Sequence, residues 1–389
     1  MSKKKIIAIT GTRSDYGPMR PVYRKIIADP DFNFGLIVTG MHLLPEYGLS
    51  IQEIEKDYFP ILRKVSMLLG EDTNSAMVKS LGLAIYGIAE ALEDLQPDIV
   101  LLQGDRGEML AAAIGAAHQN IPIVHMSGGD FSGSIDDSIR NAITKFAHIH
   151  LVTCDQSAKQ VTLMGEEPSR IAIVGEPTLD VIRSFLPHSL TQLEHMFNLD
   201  LSLPLILTTQ HPVTYESQYS ADQMRETLEA LTEIGEQTVF IYPNSDAGNR
   251  AMVKIIEQYT DCDHIRFLRS IPHDTYLSLM KHASVMVGNS SSGIIEAPAF
   301  KLPVVNIGTR QNRRVRACNV IDVRYDRKEI LCAIQTALSD NNFKKSCKDC
   351  VNPYGDGHTA DRVVSILKNL QLTPKLLAKW LPITPLQDK

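Results

Sequence analysis

The sequence alternates short, nearly continuous apolar runs with longer amphipathic stretches, and this alternation is its most constraining feature. Such runs are typical of strands that are buried on both faces of a parallel sheet. In the first half of the chain they occur at 5–9, 34–38, 99–102, 121–125, 150–152 and 171–174. Helical patterns separate them at 18–28, 76–95, 107–119 and 137–147. The alternation therefore predicts an α/β fold with a doubly wound parallel sheet.

The same alternation starts again in the second half. Predicted strands lie at 205–209, 238–241, 265–267, 285–288, 304–307 and 320–323, and predicted helices at 221–233, 250–259, 273–281, 291–300 and 327–339. A chain of 389 residues is long enough for two domains of roughly 100–200 residues each. We therefore predict two Rossmann-like domains, at 1–186 and 187–358, followed by a C-terminal helix and tail at 359–389 that pack back on the first domain.

Composition excludes several classes of protein. The net charge of −6 argues against a general nucleic-acid binder, and 44% hydrophobic with 22% charged residues excludes a disordered chain. No uninterrupted apolar run approaches the roughly 18–20 residues of a membrane span. The apolar run at 6–9 is also shorter than the roughly 7–15 residues of a secretory signal core. We expect a cytoplasmic protein with no nucleic-acid or membrane partner.

The six cysteines are scattered along a large chain, which is typical of reduced thiols. Cys347 and Cys350 have the spacing of half a metal site, but no second pair accompanies them. We therefore expect two unremarkable thiols. No Walker A loop, nucleophile elbow or HExxH motif is present. The sequence thus indicates neither a metal nor an organic cofactor.

Polar residues follow the predicted strands, and ligands bind at the carboxyl ends of strands in open parallel sheets. Arg13 follows the first strand, before a helix that we expect to begin near Pro18 and to be capped by Ser14 or Asp15. An anion at the helix N-terminus and a surface carboxylate are equally good partners for Arg13.

The third strand is followed by the adjacent charges Asp105 and Arg106. A charged pair at the carboxyl edge of a strand indicates a functional role. A satisfied ion pair is the structural explanation that competes with it.

A denser group follows the next strand. His125, Asp130, Asp136 and Asp137 fall within a short glycine-rich stretch. Neighbouring carboxylates can have shifted pKa values and act as acid and base, so this group is our candidate for catalysis. Helix capping by Asp137 or Ser138 and a hydrogen-bonded core histidine at His125 are the competing structural explanations.

The second half has its own strand-end residues, namely His211, Asn244, Asn289, Ser290, Ser291, Glu296 and Arg310. The loop around Ser290 and Ser291 opens a predicted helix, and its N–H groups and hydroxyls suit two linked phosphates. Glu296 lies about a turn later, where its carboxylate can accept both hydroxyls of a ribose. Simple helix capping by a serine and a solvated basic loop at Arg310 would explain the same residues without a ligand.

These motifs, taken in order, resemble those of a known family. They are GTRSDYG at 11–17, TGMH at 39–42, GDR at 104–106, GGDFSG at 128–133, IDDSIR at 135–140, QHPVT at 210–214, GNSS at 288–291 and GTRQ at 308–311. Together they resemble the UDP-N-acetylglucosamine 2-epimerases, in particular the hydrolysing branch of sialic-acid-type biosynthesis. The resemblance implies a GT-B-like fold, with two Rossmann-like domains facing across a cleft.

The resemblance also implies roles for the candidate residues. UDP would be bound by Arg13, Arg106, His211, Asn244, Asn289, Ser290, Ser291, Glu296 and Arg310. Catalysis at the sugar would fall to Asp105, Asp130, Asp136, Asp137 and His125. The family reaction removes the C2 proton while the bond from C1 to UDP breaks, and water then adds to the resulting 2-acetamidoglucal. The products are UDP and a free N-acetylmannosamine-type sugar. The family also implies a homodimer or homotetramer with its interface on the first domain, and no cofactor.

One position departs from the family pattern. Ser127 stands where the family commonly has a glutamate, two residues after the histidine that matches His125. A serine cannot act as a carboxylate acid or base, and Asp130 is the nearest substitute. The change fits a different sugar, UDP-N,N'-diacetylbacillosamine of legionaminic acid synthesis, as well as UDP-N-acetylglucosamine. The motifs are also compatible with a non-hydrolysing epimerase, a retaining GT-B glycosyltransferase and a non-catalytic UDP-sugar-binding protein.

Overall fold

The computed structural model describes residues 3–70, 73–132, 136–244 and 246–379. Contacts divide the chain into two compact units. Unit 1 comprises the residues up to Val181 and those from Tyr354 onward, and unit 2 is Ile182–Pro353. The junctions at 181/182 and 353/354 lie a few residues before the predicted boundaries at 186/187 and 358/359. Of the predicted tail, residues 380–389 lie outside the described part of the chain.

Unit 1 contains seven strands. They are β1 (Lys4–Thr10), β2 (Phe32–Thr39), β3 (Ile61–Val65), β4 (Ile99–Gln103), β5 (Ile123–Met126), β6 (Ile149–Val152) and β7 (Ile171–Ile173). Its helices are α1 (Arg13–Ala28), α2 (Ile51–Lys56), α3 (Asn74–Leu95), α4 (Gly107–His118), α5 (Asp136–Phe146), α6 (Asp155–Leu163), α7 (Thr178–Ser184, which runs across the first junction), and, after unit 2, α15 (Thr359–Asn369) and α16 (Pro374–Leu377). Short 3-10 helices lie at Gly40–Leu43, Pro45–Tyr47 and Pro168–Arg170.

The strands of unit 1 form one parallel sheet in the order β3-β2-β1-β4-β5-β6-β7. The order reverses between β1 and β4, which is the switch point at which doubly wound sheets bind ligands. All carboxyl ends of a parallel sheet lie on one edge, so the residues after β1, β4 and β5 share that edge.

Unit 2 contains β8 (Ile206–Thr209), β9 (Thr238–Ile241), β10 (Ile265–Leu268), β11 (Val285–Gly288), β12 (Val304–Ile307) and β13 (Val320–Val323). Its helices are α8 (Leu190–Phe197), α9 (Ser220–Ile234), α10 (Asn249–Ile256), α11 (His273–His282), α12 (Ser292–Ile295), α13 (Arg327–Ser339) and α14 (Asn341–Lys348), with 3-10 helices at Thr214–Tyr219 and Ala297–Phe300. The sheet is parallel in the order β10-β9-β8-β11-β12-β13. The predicted fold class of two doubly wound sheets is confirmed.

Two helix predictions need correction. The first helix begins at Arg13 rather than near Pro18, with Thr12 as its N-cap and Asp15 completing a capping box. The helix predicted over 291–300 is two pieces, α12 and the 3-10 helix at Ala297–Phe300, because Pro298 cannot donate the hydrogen bond that a continuous helix requires.

The apolar cores explain how helices cover the sheets. In unit 1, one face of the sheet packs on α1 and α15, and Ala360, Val363 and Leu367 of α15 lie fully or almost fully buried there. The opposite face packs on α3 and α4. In unit 2, α9, α10 and α13 contribute to the core around the strands. Continuous apolar strands are therefore covered on both faces in unit 1, as a parallel sheet requires.

Helix α3 has an unusual composition. Its stretch Ser75–Leu95 is long and apolar enough to cross a membrane by length and hydropathy alone. This corrects the expectation, drawn from uninterrupted apolar runs, that no stretch approaches the length of a membrane span. One side of α3 lies in the core of unit 1 through Ala84, Ile88 and Leu92. This burial is typical of a core helix in a globular domain.

Candidate functional site

The turn after β1 is held by a buried carboxylate. Asp15 accepts hydrogen bonds from the backbone N–H groups of Gly11 (3.2 Å) and Thr12 (2.8 Å). Burial raises the pKa of Asp15 to about 6, against the opposing effect of the hydroxyls of Thr10 and Thr12. Arg13 extends from this turn, and its Nη2 lies 2.7 Å from Glu53 Oε1. Arg13 thus has the surface carboxylate partner that the sequence left open, and an anion would have to compete with Glu53.

Asp105, two residues after β4, is held by a serine and a buried arginine. Its Oδ2 accepts hydrogen bonds from Ser132 Oγ (2.9 Å) and from Arg140 Nη2. Arg140 is buried and also donates to the Ser127 carbonyl oxygen at 2.8 Å. A buried guanidinium needs a charged partner, and the contacts with Arg140 and Ser132 hold the Asp105 carboxylate in one orientation. Arg106 does not pair with Asp105 among the described contacts. Its Nε lies 3.9 Å from Glu108 Oε2 instead.

His125 is fully buried. Its Nε2 lies 2.8 Å from the Gly104 carbonyl oxygen, and its Nδ1 lies 3.4 Å from Thr144 Oγ1. Burial lowers the pKa of His125 to about 3, so the ring is neutral and its single proton lies on Nε2. His125 therefore matches the structural explanation, a hydrogen-bonded core histidine, and it supports the turn that carries Asp105.

The other three carboxylates of the group differ in their contacts. Asp137 Oδ1 accepts from the Ser132 backbone N–H at 2.7 Å, so Ser132 connects Asp137 with Asp105. Asp136 is the first residue of α5. Asp130 Oδ1 accepts from the hydroxyl of Thr153 at 2.7 Å and from that of Ser157, which places it against the turn between β6 and α6.

Ser127 has a backbone conformation that is rare for a residue with a side chain, since its φ is +61°. Its hydroxyl accepts from Gln103 Nε2 at 3.1 Å, and its carbonyl oxygen accepts from Arg140. Ser127, at the position where the resemblance implies a glutamate, thus shares the partner Arg140 with Asp105.

In unit 2, Asn289 joins the ends of β8, β11 and β12. Its Oδ1 accepts from the His211 backbone N–H (2.7 Å), and its Nδ2 donates to the His211 carbonyl oxygen (2.8 Å). Its own carbonyl oxygen accepts from Gln311 Nε2 (2.8 Å) and Arg310 Nη1 (3.2 Å). Gly288 makes this approach possible, because at its φ of +132° a Cβ atom would lie 2.1 Å from the Thr209 carbonyl oxygen.

His211 is held as a neutral hydrogen-bond donor. Its Nδ1 accepts from the Asn244 backbone N–H at 3.0 Å. Burial, with a smaller contribution from the charge of Arg310, lowers the pKa of His211 to about 3. The proton of the neutral ring is therefore on Nε2. His211, Asn244, Asn289 and Arg310 thus form one connected cluster, which we call the Asn289 cluster.

The turn after β11 carries the remaining candidates. Ser290 Oγ accepts from the Ser292 backbone N–H at 3.3 Å, and Ser291 is the N-cap of α12. Glu296 follows α12 and is only 9% exposed. Its Oε1 lies 3.8 Å from His273 Nε2, whereas its buried Oε2 has no hydrogen-bond partner among the described residues. A buried carboxylate oxygen without a donor is an acceptor that a bound ligand can satisfy.

The sequence pattern assigned no role to Arg140 or Gln311. Arg140 lies four residues after Asp136 on α5, so the two side chains share a helix face. This spacing could have placed Arg140 beside the candidate carboxylates. Nothing in the pattern distinguished Gln311 from its basic neighbours. Within the described ranges, no group of three or more His, Cys, Asp or Glu side chains is arranged to hold a metal ion.

Comparison with solved structures defines the class. The chain is similar to the UDP-GlcNAc 2-epimerase from Neisseria meningitidis, solved bound to UDP-GlcNAc, with a TM-score of 0.80, 17% identity, and coverage of 94% of this chain and 100% of that chain. At that identity the likeness establishes the fold. The protein is therefore an α/β protein of the GT-B-like class, with two parallel-sheet domains.

Sequence relatives define the family. Residues 24–368 match the family described as UDP-N-acetylglucosamine 2-epimerase. A Legionella pneumophila protein named UDP-N,N'-diacetylbacillosamine 2-epimerase (hydrolyzing) is 39% identical over 97% of this chain and 98% of its own length. A Neisseria meningitidis UDP-N-acetylglucosamine 2-epimerase is 36% identical over 94% and 95%. The chain belongs to the UDP-N-acetylglucosamine 2-epimerase family, and it is an enzyme of the 2-epimerase type.

Proposed function

We propose that the enzyme is a hydrolysing 2-epimerase that converts a UDP-linked 2-acetamido sugar into UDP and the free 2-epimeric sugar. The observation that carries the proposal is the Asn289 cluster, together with the unpartnered Glu296 oxygen, in a family of UDP-sugar epimerases. A base takes the C2 proton, the C2–H electron pair forms the C1–C2 double bond, and the C1–O pair leaves with UDP. Water then supplies a hydroxyl to C1 and a proton to C2 on the opposite face.

Unit 2 is proposed to bind UDP. Arg310 supplies positive charge where it can offset the charge that develops on the leaving diphosphate. His211 donates from Nε2, and the Ser290 and Ser291 turn supplies hydroxyl and N–H groups at the start of α12. Glu296 Oε2 accepts from a ribose hydroxyl, which gives that buried oxygen its missing partner. Asn244 and Asn289 complete the proposed nucleotide contacts of unit 2. Arg13 and Arg106, which belong to unit 1, are the further candidate residues for UDP.

Unit 1 is proposed to supply the proton transfers. Asp105 is our candidate base, because Arg140 and Ser132 both hydrogen-bond its Oδ2 and fix the direction of the carboxylate. Asp137 shares Ser132 with Asp105, and Asp136 and Asp130 are the further candidate acids. His125 is proposed to position Asp105 through Gly104 rather than to transfer protons itself.

For the sugar, we propose UDP-N,N'-diacetylbacillosamine as the first substrate to test. The proposal rests on the 39% identity to the Legionella enzyme of that name and on Ser127, which replaces the usual family glutamate. UDP-N-acetylglucosamine is the second candidate, because the Neisseria relative with that name is 36% identical. The free product would then feed sialic-acid-like or legionaminic acid synthesis.

One experiment separates the proposed reaction from the competing ones. Each UDP-sugar is incubated with the enzyme in deuterated water, and the products are followed by NMR. We expect free UDP and a manno-configured sugar that carries deuterium at C2. A UDP-linked epimer would indicate a non-hydrolysing enzyme, transfer only in the presence of an acceptor would indicate a glycosyltransferase, and binding without turnover would indicate a non-catalytic protein.

We further propose that the enzyme is a cytoplasmic homo-oligomer, a homodimer or homotetramer, that associates through unit 1. All six cysteines are free thiols, as expected in a reducing compartment. Helix α3 exposes a row of apolar side chains, namely Met77, Val78, Leu83 and Tyr86, which are 46–71% exposed. A second copy of unit 1 that covered this row would remove it from water.

A further inference from the structure

Three cysteines that are distant in the sequence lie together in unit 2. Cys318 precedes β13, Cys347 lies in the last turn of α14, and Cys350 follows that helix. Cys347 and Cys350 are buried, whereas Cys318 is exposed. The sequence spacing showed only the Cys347–Cys350 pair, which was expected to be unremarkable. The fold adds a third, accessible thiol to it.

Hydrogen bonds join the segments that carry Cys318 and Cys350. Cys350 Sγ donates to Oδ1 of Asn319, the residue after Cys318, at 3.8 Å. Two further hydrogen bonds hold the segments together, from Cys318 Sγ to the Ser346 carbonyl oxygen (3.2 Å) and from Ser346 Oγ to the Cys318 carbonyl oxygen (3.4 Å). The segments that carry the two thiols are thus held against each other.

We propose that Cys318 and Cys350 are a peroxide-responsive dithiol that closes to a disulfide on oxidation. The Cys318 thiolate attacks one oxygen of hydrogen peroxide and the O–O bond breaks, giving a sulfenic acid and, after protonation, water. The Cys350 thiolate then attacks the Cys318 sulfur, the S–O bond breaks, and a second water leaves. Two thiols lose two electrons and two protons, and one peroxide is reduced to two waters.

Cys350 is the better resolving thiol of the two buried cysteines. Its Sγ donates to Asn319 Oδ1, next to Cys318, whereas no hydrogen bond joins Cys347 Sγ to that segment among the described contacts. Burial raises the pKa of Cys347 to about 11, so that thiol is protonated at neutral pH. Burial raises the pKa of Cys350 as well, but Lys301, whose Nζ hydrogen-bonds the Cys350 carbonyl oxygen, supplies a positive charge that favours the thiolate.

The disulfide would fasten the last segment of unit 2. Cys350 lies just before the junction at 353/354, and Asn352 Nδ2 donates to the Ile295 carbonyl oxygen at 2.8 Å, next to Glu296. The bond would tie this segment to the start of β13. Because hydrogen bonds already hold the two segments together, the oxidised protein should keep the native fold and melt no lower than the reduced protein.

Trypsin separates the three cysteines, so the test is direct. Cleavage after Lys and Arg gives peptides 317–324, 346–348 and 349–362, which contain Cys318, Cys347 and Cys350 respectively. The native protein is treated with a small excess of hydrogen peroxide, alkylated, digested and analysed by mass spectrometry. Cys318→Ser removes the accessible thiol, and Cys332→Ser is the matched control because Cys332 is also exposed.

We expect peptide 317–324 linked to peptide 349–362, with two of the six free thiols lost and both recovered by a reductant. Cys318→Ser should lose none, and Cys332→Ser should still lose two. A link to peptide 346–348, a link in Cys318→Ser, or oxidation of Cys332 at the rate of Cys318 would overturn the proposal. A melting temperature that falls on oxidation would overturn it as well. None of these outcomes depends on the proposed epimerase activity.

Discussion

At the scale of single residues, the two histidines that follow buried strands illustrate what sequence leaves open. His125 and His211 occupy equivalent places in the predicted pattern. His125 uses both ring nitrogens inside the protein, whereas His211 accepts on Nδ1 and keeps a donor on Nε2. The partners that make the difference, the Gly104 carbonyl and the Asn244 N–H, come from the segments that follow other strands. Sequence therefore selected both residues as candidates but could not distinguish the ring that has two protein partners from the ring that we propose binds UDP.

Asp105→Asn tests the proposed base. The amide keeps the shape but cannot accept the C2 proton, so we expect kcat to fall by at least about 100-fold while UDP binding is retained. Deuterium incorporation at C2 measures the chemical step, and calorimetry measures UDP binding. Asp94→Asn, on an exposed aspartate paired with Arg63, is the control and should leave both unchanged. Normal turnover in Asp105→Asn would remove it from the catalytic residues.

Glu296→Gln tests the proposed ribose contact. The change replaces a buried charged acceptor by a neutral one, so we expect the Kd for UDP to rise about 10- to 100-fold, with a smaller change for a ligand that lacks the ribose. Isothermal titration calorimetry measures both ligands. Glu329→Gln is the control, since Glu329 is paired with Arg324 on α13. An unchanged Kd in Glu296→Gln would show that its oxygen does not face the nucleotide.

At the scale of elements, sequence predicted every strand of the described residues except β3. Strands such as β1 and β4 are continuous apolar runs because both faces are covered. Strand β3 was missed because it is an edge strand that contains Arg63 and Lys64, and charged edge strands lack the apolar pattern. In α12, periodicity extended the helix past Glu296, but the ring of Pro298 ends it.

Helix α15 is fixed to unit 1 by a buried carboxylate that sequence did not identify. Asp180 accepts from the backbone N–H groups of Thr359 and Ala360, both at 2.9 Å. These are the first N–H groups of the helix, which have no partner within it. We expect Asp180→Ala to lower the free energy of unfolding by about 1–3 kcal/mol and Asp180→Asn by less. Urea denaturation followed by circular dichroism measures both, and equal loss in the two variants would contradict the capping role.

The exposed face of α3 gives a prediction about assembly. Tyr86→Glu places a charge in the middle of the apolar row, and burying that charge in an interface is costly. We expect the variant to be monomeric by light scattering where the wild-type protein is an oligomer. Leu163→Glu is the control, because Leu163 is 83% exposed and lies on α6. An unchanged mass for Tyr86→Glu would place the interface elsewhere.

At the scale of the whole molecule, buried titrating groups predict acid sensitivity of unit 1. Burial lowers the pKa of His42 and His148 to about 4 and that of His125 to about 3, whereas unfolded histidine titrates near 6.5. The unfolded chain therefore binds protons first, and stability is lost as the pH falls from 6.5 toward 4. Asp15 acts in the opposite direction, because its raised pKa of about 6 stabilises the fold as the pH falls from 6 toward 4.

The histidines outnumber this carboxyl group, and each group contributes up to about 3 kcal/mol, so the net effect is a loss of stability. Hydrogen exchange of β5 and α5 peptides between pH 7 and pH 5, corrected for the intrinsic rate, measures it. The slope should be smaller in His42→Gln and unchanged in His118→Gln, a change at an exposed histidine. A flat profile in the wild-type protein would contradict the assignment.

The discontinuity of unit 1 has a consequence for synthesis on the ribosome. Unit 2 is one uninterrupted segment, whereas unit 1 needs α15, which is made only after unit 2, to cover the face that α1 and the sheet present. The half that emerges first is therefore the half that finishes last, and its uncovered apolar surface must wait through the translation of about 170 further residues. Until α15 is made, this surface is open to aggregation, and a stop codon near position 353 would leave it permanently uncovered.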